Sequence, residues 1–379
     1  MNQRRVSLWS CCLVLLLGAI SQGETYSFQG LGSLNGATNY NSNSAAVSAD
    51  GSVVVGRIAG GGIAGQAFTW TKAGGLIGLG HLPGKPFGAG AHAVSADGSI
   101  VVGEDGSFPP NGFRWSVADG ITNLGDLPGG DISTSAEGIS ADGSIVVGLG
   151  SSTNGLEAFR WTAATNMVGL GALPGGDRSS TARAISANGS TIVGNSSSEA
   201  GPQAMMWTAG NGMVGLGDLS GGAFNSTALA VSADGAVIVG TATSAKGNTA
   251  FRWTAAEGMV SLGYLSANGS ASQARGISAD GATIVGDSDG AVFLWNASTG
   301  MLNLKGLLTA HGVTGVANWQ LSVGAAISAD GRTIVGTGFS PAGRSEAWVA
   351  TIPEPSTDVL AAVGAFFTAF LCRRRLRRV

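Results

Sequence analysis

The chain has 379 residues, of which 64 are glycine and only 11% are charged, against roughly 25% charged in an average globular domain. Between Glu24 and Ile352 it carries 21 acidic and 13 basic side chains, an acidic balance that argues against a nucleic-acid partner. Such a composition fits a loop-rich β protein whose weakly charged strands need covered edges.

In chain order, the first element is a leader. Arg4 and Arg5 precede an apolar run from Val6 to Ile20, and Ser21 and Gly23 suit cleavage before Glu24, which predicts a signal peptide over 1–23 and an exported body. Cys11 and Cys12 precede most of the apolar run, which argues against a lipid-modified cysteine there. Without the leader, Cys372 is the sole cysteine, so the body is expected to have no intramolecular disulfide.

The body, 24–352, is an array. A Ser-Ala-Asp-Gly-like tetrad recurs with its acid, or one asparagine, at Asp50, Asp97, Asp142, Asn188, Asp234, Asp280 and Asp330, at steps of 47, 45, 46, 46, 46 and 50 residues. Trp70, Trp115, Trp161, Trp207, Trp253, Trp295 and Trp348 follow the tetrads. The fourth copy shows four short apolar runs, Ala182 to Ser186, Thr191 to Gly194, Gln203 to Thr208 and Met213 to Leu219, separated by turn residues. Each run reads as a strand, and four antiparallel strands in about 46 residues make one propeller blade.

Six tryptophans are followed nine residues later by the first leucine of a Leu-Gly-x-Leu-like element, but the ninth residue after Trp348 is Thr357. The missing element stands before the first tetrad, as Leu31-Gly32-Ser33-Leu34. This permutation predicts an all-β fold: a seven-bladed β-propeller of four-stranded repeats whose last blade is completed by the N-terminal strand. Copy six is shortened, and the connection after it runs long through Thr309 to Ser322. That connection holds His311 and Trp319, the one body tryptophan outside the repeat phase, which is expected to be exposed; the pair forms a candidate ligand rim.

The C-terminal segment, 353–379, carries Pro353-Glu354-Pro355, an apolar stretch from Val359 to Cys372, and a basic cluster with Arg373, Arg374 and Arg375. Fourteen apolar residues span roughly 21 Å as a helix, less than the ~30 Å hydrocarbon core. A transient membrane anchor with its arginines on the cytoplasmic side fits better than a permanent span.

This tail resembles a PEP-CTERM sorting signal, and the repeats, with Ala-x-x-Ile-Ser-Ala-Asp-Gly and Ala-Phe-x-Trp-Thr, resemble the HAF family of extracellular repeats. The resemblance implies a secreted bacterial protein whose tail is recognised by an exosortase and cut near the Pro-Glu-Pro, in organisms that make exopolysaccharide or biofilm matrix. It supplies an address and an architecture more than an activity.

Catalytic groups are sparse. His81, His92 and His311 fall at different phases and show no metal-ligand spacing. The repeated acids could form a ring that binds calcium, but Asn188 favours a turn role, since Asp and Asn both bond nearby backbone N–H groups. The tryptophans invite a lectin reading, yet Phe and Trp at i and i+2 point to one strand face and fit packing between blades. Arg114, Arg160 and Arg252 alternate to the opposite face, open to solvent or to acids. The expectation is therefore a non-enzyme: an exported surface or matrix scaffold, with no cofactor, that binds polysaccharide or another protein. The alternative is an extracellular propeller hydrolase, for which Asp287, Asp289, Glu104, Asp105 and Glu137 are the carboxylates that break the repeat; two of them in one pocket would favour it.

Overall fold

The computed structural model describes residues 25–85, 88–106 and 109–353. The leader 1–23 and the tail beyond Pro353, including Glu354, Pro355, Arg373, Arg374 and Arg375, lie outside the described residues. Each repeat forms one blade. In the fourth, Ser180–Ile185, Thr191–Ser198, Gly201–Thr208 and Gly212–Gly215 pair antiparallel in that order. Seven four-stranded sheets are built this way. The first strands of successive blades touch one another around the whole ring, the first and seventh included, so these strands surround the axis.

The tetrad is a turn. Ser186 Oγ donates to Asn188 Oδ1 at 2.9 Å, Ser190 N donates to the same oxygen at 3.0 Å, and Thr191 N donates to Ser186 Oγ at 3.0 Å. At Asp142 the same three bonds measure 2.6, 3.0 and 3.0 Å. Aspartate and asparagine therefore do one job, satisfying turn donors that would otherwise lack a partner.

The alanine of each tetrad does a second job. Ala49 N donates to Ala96 O, Ala96 to Ala141, Ala141 to Ala187, Ala187 to Ala233, Ala233 to Ala279, Ala279 to Ala329, and Ala329 back to Ala49, all at 2.9–3.1 Å. Seven backbone bonds thus join blade to blade in a closed head-to-tail circle. Between the blades lie seven apolar clusters, each shared by two neighbours; Val55 and Ala67 of blade one meet Ala91, Val101 and Phe113 of blade two in one of them.

Closure is as the permutation predicts, but shifted along the chain. The strand that completes blade seven is Ser27–Gly30, paired antiparallel with Ser345–Thr351 from Ser27↔Thr351 to Gly30↔Trp348. Leu31-Gly32-Ser33-Leu34 follows this strand instead of forming it. In blades one to four and six the outer strand likewise ends just before the motif, as Gly75–Gly78 does before Leu79, while in blade five it runs on to Gly263. The leucines serve the packing instead, since Leu79 and Leu82, like Leu31 and Leu34, are buried in the clusters between blades.

The motif's glycine explains the one α-helix among the described residues. Gly32, Gly80, Gly125, Gly171, Gly217 and Gly263 all have φ between 76° and 86°, a conformation costly for a side chain with a Cβ. Copy six has Lys305 there, and the chain winds into a helix, α1 (Leu304–Ala310), capped by Asn303 Oδ1, which accepts from Gly306 N at 2.9 Å. Lys305 Nζ then donates to Trp319 O at 2.7 Å.

This corrects the expectation for Trp319. Its side chain is 8% exposed, in a cluster with Leu304, Leu308 and Trp348, and its ring lies edge-on to Phe28 of the closing strand at 5.2 Å. His311 is exposed but stacked on Tyr26 at 3.8 Å. The long connection therefore fastens the closing strand. Trp348 also departs from the repeat: it pairs with Gly336, where Phe68 pairs with Gly56. The last tryptophan occupies the phenylalanine position, which explains its complete burial.

Candidate functional site

Every inner strand breaks its ladder at the same place. The register shifts between Ser44 and Ala46, Ala91 and Ala93, Ala136 and Gly138, Ala182 and Ala184, Ala228 and Ala230, Ala274 and Gly276, and Gly324 and Ala326. A bulge leaves one residue unpaired and re-aims its side chain. The glycine opposite is obligatory, because a Cβ at Gly194 would overlap the Thr181 carbonyl oxygen of the bulged strand. The bulge residues lie five before each tetrad acid or asparagine: Ala45, His92, Glu137, Arg183, Leu229, Arg275 and Ala325. All seven line one cavity of about 470 Å³, which therefore sits on the axis.

Four of these seven are ionisable in a chain only 11% charged. Glu137 is the hub. Its Oε1 lies 3.5 Å from His92 Nδ1 and accepts from Ser135 Oγ at 2.7 Å, while its Oε2 accepts from Arg183 Nη1 at 3.1 Å. Burial pushes the Glu137 carboxyl up, but His92, Ser135 and Arg183 outweigh it and hold the pKa down at about 2. Burial likewise disfavours the charged His92 ring, yet the bond and charge of Glu137, with Glu104 and the Ala136 carbonyl, raise its pKa above the usual histidine value. Across the cavity Arg275 Nε donates to Asp287 Oδ1 at 2.5 Å.

A second cavity, of about 920 Å³, adjoins through Glu137 and is lined also by Glu104, Asp131, Ser133, Ser135 and Leu149. The structure thus brings Glu104 and Glu137 into one cavity. The other flagged acids are elsewhere. Asp105 is fully buried and accepts from Leu82 N and from His81, whose Nδ1 is 3.0 Å away. Ser196 and Ser288 fill that place in blades four and six. Asp289 Oδ1 accepts from Ser270 N and Ala271 N, each at 3.1 Å, and fixes a connection between blades. Asp287 backs Arg275.

The repeat tryptophans pack as strand alternation predicts, with Phe113 and Trp115, and Phe159 and Trp161, side by side in clusters between blades. Arg114 and Arg252 turn outward to Asp119 and Glu257. Among the described residues no group of three or more His, Cys, Asp or Glu could hold a metal ion, and no helix is long and apolar enough to cross a membrane. Reasoning from sequence missed Arg183 and Arg275. The one signal for them is the first x of Ala-x-x-Ile-Ser-Ala-Asp-Gly, which varies in charge while its neighbours stay Ala, Gly, Ser, Val or Ile.

No family model matches the chain, and no curated protein matches it. Among solved structures it is similar to the oligogalacturonate lyase of Vibrio parahaemolyticus, with a TM-score of 0.54 at 11% identity over 88% of this chain and 99% of the lyase. It is less similar to TolB of Acinetobacter baumannii, with a TM-score of 0.44 at 12% identity over 84% of this chain and 65% of that one. For a putative TolB of Agrobacterium tumefaciens the TM-score is 0.42 at 14% identity, over 82% of this chain and 90% of the other. At such identities the likeness to the lyase is one of fold alone, and the chain is an all-β, seven-bladed propeller of four-stranded blades.

Proposed function

We propose that the chain is an exported, non-catalytic scaffold of the cell surface or exopolysaccharide matrix that binds its partner through the axial cavity. A leader over 1–23 delivers it, and an exosortase-type enzyme sorts it by Pro353, Glu354 and Pro355 with the arginines behind them. The observation that carries the binding reading is the bulge ring. The tetrad positions are committed to turns and the alanine circle and the Phe and Leu positions to clusters between blades, whereas this repeated position converges four ionisable side chains on a cavity. Fractionation of cells expressing the full chain tests it: the body is expected outside, retained on matrix polysaccharide, and released or mislocated without 353–379. A chain that stays inside the cell, or washes freely from the matrix, refutes the reading.

A hydrolase acting on polysaccharide is the second reading, favoured by Glu104 and Glu137 lining one cavity. A carboxyl held at about 2 suits a nucleophile or charge stabiliser, which leaves Glu104 to act as the acid. Release of reducing ends from matrix polysaccharide, lost in Glu104→Gln, would establish it in place of the scaffold.

A further inference from the structure

We propose that the axial cavity takes the carboxylate of an acidic sugar unit, gripped by Arg183 and Arg275. This rests on the binding reading above and names its ligand class. The two guanidiniums stand on the bulges of blades four and six and line one cavity of about 470 Å³. Their side chains are 41% and 35% exposed, so a ligand reaches them.

Neither is spent on its structural partner. A guanidinium offers five N–H donors in a planar fork, and among the described residues Arg183 gives only Nη1 to Glu137 and Arg275 only Nε to Asp287. Those two carboxylates hold each fork in place, which lowers the ordering cost of receiving a second carboxylate. Each arginine faces one carboxylate, Glu137 or Asp287, so what is left to draw an anion is the set of unused guanidinium N–H donors and the charge of His92 when protonated.

The rest of the wall decides for a sugar over a bare anion. Leu229, Val323 and Ala325 offer apolar surface for the C–H face of a ring, and Asn43 and Thr337 offer bonding groups for hydroxyls. The volume suits one sugar unit, and the adjoining cavity of about 920 Å³ gives a chain room to continue.

Calorimetric titration of the purified full chain with methyl glucuronide, methyl glucoside and acetate tests the proposal. The glucuronide is expected to bind, with the glucoside and acetate each about tenfold weaker or more. Arg183→Met and Arg275→Met should each weaken glucuronide binding about tenfold or more without lowering the melting temperature to the assay range, and the lysine variants should restore part of it. Equal binding of glucuronide and glucoside, equal binding of acetate, absence of glucuronide binding, or folded methionine variants that bind like the parent would each overturn it. Matrix retention is scored separately. A double methionine variant that stays on the matrix refutes the sugar site and spares the scaffold, whereas glucuronide binding by a chain that the matrix does not retain refutes the scaffold and spares the site.

Discussion

Two rings run round the same axis, four residues apart, one on the seven inner strands and the other in the turns that follow them, and they differ in kind. The lower ring, Ala49 to Ala329, is one residue type in every blade and spends its backbone on the blade-to-blade circle. The upper ring, Ala45 to Ala325, holds five residue types and spends its side chains on the cavity. Where a repeated position carries the fold, a substitution in one blade breaks contacts with the next. Where it faces the cavity, each blade varies independently, so chemistry can accumulate there without cost to closure.

The sharpest way to break the contrast is Gly194→Val, which drives a branched side chain into the Thr181 carbonyl beneath the bulge. We expect a loss of about 3 kcal/mol or more, seen as a collapsed thermal transition and loss of soluble protein. By contrast, Ala325→Ser on the upper ring should leave the same transition in place.

Next in size is the charge hub. Glu137 is depressed to about 2 from an ordinary 4.5, so its stabilisation is complete above the ordinary value and is lost as pH falls from about 4.5 toward 2. His92 is raised, so its contribution is complete below the unfolded value of about 6.5 and disappears as pH rises through the folded one. Glu137→Gln should cost about 1–3 kcal/mol at pH 6 and flatten the acid limb of the stability curve, and the His92 ring, followed by NMR, should titrate at lower pH than in the parent.

The smallest effect is expected at the lower ring's own turns. Asp142→Asn should change stability by less than about 0.5 kcal/mol at neutral pH, because Asn188 already makes the same bonds. A large loss, or a melting temperature that rises with added calcium in the parent but not in the variant, would show that the acids do more than turn the chain.

The lower ring was legible from the sequence because it repeats; the steps between Asp50 and Asp330 and the displaced Leu31-Gly32-Ser33-Leu34 were enough to predict seven blades closed end to end. The upper ring was hidden by its bulge. Simple alternation assigns residues to faces by parity, and one extra residue between Ala182 and Ala184 upsets that count. Trp319 was misread for another reason. An aromatic outside the repeat phase looks the same on paper whether it is a lure for ligand or a plug, and only the helix started by Lys305 carries it onto Phe28. Trp348 shows that spacing alone can slip by one pair, since its distance from Asp330 equals that from Asp97 to Trp115 while its strand partner is different.

The seam has a consequence for the order of events in folding. Ser27–Gly30 is made first and its partner Ser345–Thr351 last, and the bond from Gly32 N to Glu346 Oε1 spans 314 residues. Until the final blade exists, the opening strand has nothing to pair with, so the slow, entropically costly contact comes at the end. During that wait the unfilled edge of blade seven can accept the opening strand of another molecule as readily as its own. High concentration during refolding should therefore yield exchanged dimers, joined by nothing that the monomer lacks.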